Sequence, residues 1–137
     1  MFSIAAARLG VVLSNRKIID TIFKAQPSFD VNSFALLFGK MVIDEGILEE
    51  LKEEFFKGKD FIVKWFSDNG YHTVDTNGNY ISFIPHTDVK TLSDRFVKRN
   101  VLVKTYSDPL LKDYIRITIG DERTMKDFTK ILKELDV

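Results

Sequence analysis

"DYIRITIG" (residues 113–120) alternates without a break, placing Tyr114, Arg116 and Thr118 on one side and Ile115, Ile117 and Ile119 on the other. A period of two marks a β-strand with one buried face. The three isoleucines must meet a packed layer, so the strand belongs to a sheet covered by helices on one side. Arg116 then stands mid-strand on the uncovered face, held by a rigid backbone and flanked by two hydroxyl side chains.

Working outward, "NVLVKTY" (100–106) reads as a neighbouring strand, and Lys104 near its end adds a second positive charge close to Arg116. Upstream lie two more short strands, "YHTVDT" (71–76) and "NYISFI" (79–84), joined by a turn at Asn77-Gly78. A helix over 88–99 presents Val89, Leu92, Phe96 and Val97, and a last helix presents Met125, Phe128, Ile131, Leu132 and Leu135. The β-α-β-β-α order predicts an α/β fold of the α+β kind: a two-layer sandwich with a small mixed or antiparallel sheet and helices on one face.

The first half of the chain is expected to be a strand followed by long helices. "RLGVVLSN" (8–15) is short and β-branched, and Ser14-Asn15 supplies cap chemistry for a helix carrying Ile18, Ile19, Ile22 and Phe23, ended by Gln26-Pro27. Asp30 is placed to cap a second helix, "VNSFALLFGKMVID" (31–44), which is apolar on nearly every side and is expected to lie buried between layers. A third helix, from about 44 to 69, turns Leu48, Leu51, Phe55, Ile62, Trp65 and Phe66 to one face. Its acids come early and its lysines later, and Asn69-Gly70 supplies a stop.

Composition narrows the function. The 137 residues are 45% hydrophobic, and 20 basic side chains balance 20 acidic ones, so no net field gathers nucleic acid or anionic lipid. There is no cysteine, which removes disulfides, thiolate metal sites and cysteine nucleophiles, and fits a cytoplasmic protein. His72 and His86 alone do not make a zinc site, and neither has an acid or hydroxyl at an informative spacing. The opening residues do not read as a signal peptide, because the small residues precede the apolar run, and no stretch reaches the ~18 apolar residues of a membrane span. No phosphate loop, nucleophile elbow or metal cluster appears. The charged residues at 49–59 read as a solvated helix face.

Two readings of Arg116 stand side by side: a solvated strand arginine, or a clamp that grips an anion with two parallel hydrogen bonds, which a lysine does not match. Lys104 is by itself an ordinary surface lysine, and Arg8 an arginine at a strand edge.

In order and spacing, "FSIAAARLGVVLSNRKIID", "FDVNSFA", "GNYISFI", "NVLVK" and "YIRITIGDERTMKDF" resemble the C-terminal part of histidinol-phosphate aminotransferase-like, fold-type-I pyridoxal-phosphate enzymes of class I/II. The resemblance covers essentially the whole chain. It implies that Arg8 and Gly10 fill an Arg-x-Gly pattern that follows the Schiff-base lysine, that the lysine position falls just before Met1, and that no catalytic residue lies in these 137. It further implies that Arg8 contacts the phosphate of pyridoxal 5'-phosphate and Arg116 the substrate's carboxylate or phosphate. Lys104 stands where histidinol-phosphate enzymes carry an arginine for substrate phosphate, a departure from the pattern.

On this reading residues 1–24 are a strand and helix remaining from a large cofactor-binding domain, 25–70 are connecting helices, and 71–137 are the small C-terminal domain. Partners are then a small amino or keto acid, the missing N-terminal domain and a second copy in a homodimer, and the chain alone is expected to be inactive. The edge groups of residues 8–14 are expected to fray or pair with a second copy. The competing reading is a non-catalytic β-α-β-β-α module that uses Arg116 and Lys104 to hold a small anionic ligand, or that binds a protein partner.

Overall fold

A computed structural model describes residues 7–25 and 31–137. The chain divides into two compact units, Met1–Leu51 and Lys52–Val137.

In the first unit, α1 (Arg16–Phe23) begins at Asn15, whose side chain accepts the Ile18 N–H as expected of a cap. The cap of α2 (Ser33–Asp44) is Asn32, which accepts from the Ala35 N–H. Asp30 and the Gln26-Pro27 stop lie outside the described residues. Two expectations are corrected here. Residues 9–15 form no strand: among the described residues no second segment pairs with them, and an extended chain without a partner gains no ladder bonds. Nor is α2 buried. Only Ala35, Gly39 and Val42 are covered, while Phe34 is 84% and Leu37 68% exposed. Hydrophobicity marked these side chains as needing cover, but the described residues of this unit do not supply it.

The second unit has its own core. α3 (Ile47–Asp68) carries Glu49 and Glu50 in its first turn and buries Phe55, Gly58, Ile62 and Phe66. It stops where expected: Gly70 takes φ +74°, and the Tyr71 N–H reaches back to the Phe66 carbonyl at 3.0 Å. The sheet is antiparallel, in the order β1 (His72–Asp75), β2 (Tyr80–Ile84), β3 (Ile115–Thr118). Lys59 on α3 reaches β1, its ammonium 3.0 Å from Asp75 Oδ1 and 2.9 Å from the Thr76 carbonyl.

α4 (Val89–Lys98) and α5 (Glu122–Leu135) complete the helical layer, capped by Asp88 and Asp121. Ile81, Phe83, Ile115 and Ile117 pack with Ile62, Phe66, Leu92, Phe96, Met125 and Leu132 into one cluster. The two-layer sandwich with helices on one face is therefore as the alternation in β3 requires. Val97, expected inside, is 55% exposed. The strand expected over 100–106 shrinks to a single bridge, Lys104 opposite Arg116. At its start Asn100 adopts a left-handed φ of 59° and the Val101 N–H is taken by the Phe96 carbonyl, so the helix cap uses backbone that a longer ladder would need.

Candidate functional site

The register of the sheet builds a row on its open face. Ser82 of β2 is opposite Arg116 of β3, and Arg116 is opposite Lys104. Lys104 and Arg116 exchange both backbone hydrogen bonds, Lys104 N–H to Arg116 O at 2.9 Å and Arg116 N–H to Lys104 O at 2.8 Å. Such a pair sets its two Cα atoms about 5.5 Å apart with both side chains on one face. Like charges directly opposite each other destabilise a sheet. None of the ion pairs formed among the described residues involves either one. Among the described residues, two cations thus share one backbone bridge with no carboxylate paired to either.

Tyrosines frame the pair. The Arg116 guanidinium carbon lies 4.7 Å from the centre of the Tyr80 ring, and the Lys104 ammonium 5.9 Å from that of Tyr106. A guanidinium over an aromatic face is held by cation–π attraction, and its N–H groups can still serve a planar anion. Tyr80 was not among the residues the sequence singled out. The signal for it was present, since Tyr80, Ser82 and Ile84 alternate with the buried Ile81 and Phe83, but its pairing with Arg116 depends on the β2–β3 register.

The other sequence candidates fall elsewhere. Arg8, in the first unit, is exposed with a left-handed φ of 54°. His72 lies on β1 with its ring 6.2 Å from that of Tyr114. His86 lies against Tyr71, ring centres 4.3 Å apart. Among the described residues no group of acids and histidines is placed to hold a metal ion, and no helix is long and apolar enough to cross a membrane.

Comparison with known proteins gives a consistent result. The profile of the family described as "Aminotransferase class I and II" matches residues 1–132. The histidinol-phosphate aminotransferase of Thermotoga maritima is 29% identical over 138 residues, which cover 99% of this chain and 39% of that protein. That of Caldicellulosiruptor saccharolyticus is 24% identical, with 98% and 38% covered. Among solved structures, the histidinol-phosphate aminotransferase of Clostridium acetobutylicum aligns with TM-score 0.72 and 19% identity over 89% of this chain and 38% of that one. The enzyme of Sinorhizobium meliloti, solved in complex with pyridoxal-5'-phosphate, aligns with TM-score 0.70 and 16% identity over 96% and 38%. The chain spans under two fifths of the length of these curated relatives.

Proposed function

Because the chain belongs to the class I and II aminotransferase family, we propose that it serves as part of a pyridoxal-phosphate-dependent aminotransferase, moving an amino group between an amino acid and a keto or phosphorylated substrate. The observation that carries this reading is the unneutralised Arg116–Lys104 pair on the open face. Arg116 takes a substrate carboxylate or phosphate in two parallel hydrogen bonds, with Tyr80 holding the guanidinium plane, and Lys104 adds a point charge.

The donor set fits one end of the cofactor. Arg8 presents an exposed guanidinium suited to a phosphate group. When bound, pyridoxal phosphate supplies the electron sink of the reaction. This chain's part is to bind and orient anions, and alone it is inactive. Residues 1–24 then belong to a cofactor-binding domain, 25–70 connect, and 71–137 form the small domain.

The exposed apolar side chains of α2, in a chain under two fifths the length of its relatives, support a further polypeptide as the covering partner, in a cytoplasmic homodimer. One observation favours the alternative of a self-sufficient anion-binding module: Lys52–Val137 closes a core of its own.

The test is titration of the full chain with oxaloacetate and with inorganic phosphate, followed by NMR at Arg116, Lys104 and Tyr80. Saturable shifts that R116A abolishes support the clamp, and flat spectra overturn it. Turnover of any amino donor by the pure chain with added pyridoxal phosphate would refute the division of labour.

A further inference from the structure

Asp136 breaks a local rule. It caps the C-terminus of α5, where the helix dipole disfavours an acid, and it is 6% exposed, so its carboxylate has also given up most of its water. What it gains lies far off in sequence. Its Oδ2 accepts the His86 N–H at 3.0 Å and its Oδ1 the Thr87 N–H at 2.7 Å. Buried Tyr71, whose ring lies against that of His86 with centres 4.3 Å apart, closes the same corner. These two amides lead straight into Asp88, the cap of α4, so the charge that is wrong for its own helix is right for the start of the next.

Neighbouring contacts act in the same direction. The Thr87 hydroxyl donates to the Val137 carbonyl at 3.3 Å, Arg95 of α4 donates to the Leu135 carbonyl, and Arg99 pairs with Glu134 at 2.8 Å. The segment so held, from Ile84 to Lys90, is one wall of an open groove of about 640 Å³ whose other wall includes Thr105, Tyr106 and Lys112.

The geometry points to a conformational strap: the Asp136 carboxylate ties the end of α5 to the 85–88 loop, and its release frees that groove wall and the first turn of α4 while the sheet stays intact. A locally breakable contact of this kind concentrates its hydrogen bonds on one side chain, so a single event undoes them together.

Amide hydrogen exchange on the full chain tests it. In D136A the His86 and Thr87 amides are expected to exchange at least about tenfold faster, consistent with losing charge-assisted bonds, and the Thr91 amide, capped by Asp88, is expected to follow. The Phe83 and Ile117 amides in the sheet should keep their wild-type rates. D136N, which keeps the volume and one acceptor, is measured beside it and read by the same criterion should the alanine variant not fold. Unchanged exchange at His86 and Thr87 would overturn the strap. So would equal acceleration at Phe83 and Ile117, which would make Asp136 a general support of the core.

Discussion

Arg116 and Lys104 hold their like charges face to face across one backbone bridge, each donating its N–H to the other's carbonyl. The arrangement has a stability cost that an anion would offset. K104A is therefore expected to raise stability in urea by about 0.2–1 kcal/mol, the usual size of a cross-strand pair effect, and at the same time to weaken anion binding. R116K should bind more weakly than wild type despite keeping the charge, since lysine loses both the fork and the stacking on Tyr80. If K104A is destabilising, the two side chains do not repel.

Gly58 on α3 is where the helix meets the backbone between β3 and α5. A β-carbon there would collide with the Gly120 carbonyl oxygen and come within 2.9 Å of the Asp121 carbonyl carbon. Alanine gains about 1 kcal/mol of helix propensity over glycine, but overpacking against backbone costs about 1–3 kcal/mol. We expect the second effect to win because neither obstacle is a movable side-chain end. Urea unfolding of G58A should show a net loss; a gain would mean that the turn before α5 gives way freely.

Titration at both ends of the pH range has a definite sign. Burial, then the hydrogen bond and charge of Asp136, push the Tyr71 hydroxyl well above the ordinary tyrosine value of 10.0. Above pH 10 the unfolded chain loses this proton while the folded one keeps it, so stability falls as pH rises. Ultraviolet titration should show one of the four tyrosines ionising only as the fold is lost. At the acid end, hydrogen bonds to Thr91 and Thr124 lower the Asp88 and Asp121 carboxyls below the ordinary aspartate value of 3.8. Their caps contribute fully above that value and are lost as pH falls through the lowered one. The urea midpoint of D88N, followed down from pH 5, should fall less steeply than that of wild type.

Phe34 and Leu37 on α2 carry no packing burden in this chain. F34E and L37E should leave the unfolding of the second unit within about 0.5 kcal/mol of wild type, as surface changes do, and should reduce self-association in sedimentation velocity. Loss of folding in the double variant would show that these side chains are covered after all.

How much was legible follows from the range of each interaction. The β3 alternation, the Asn15 cap and the Gly70 stop are local, and the structure follows them. Arg116 beside Lys104 needed only adjacent strands, and they are paired. The Tyr80 ring on the guanidinium needed a register across β2 and β3, and the Asp136 contacts join residues about fifty positions apart; no local pattern encodes either. The expected strand over 8–15 and the expected burial of α2 fail for one reason: an apolar pattern does not say which surface, or which partner strand, an apolar residue meets.

The uneven covering of the chain also bears on how its variants are interpreted. Polar replacements scored for abundance should be harmful at Phe66 or Ile81 and nearly silent at Phe34 or Leu37, although all four are large and apolar. In a setting that supplies a covering surface, the second pair would become as intolerant as the first. A tolerance map of this polypeptide is thus a record of its surroundings as much as of its own fold.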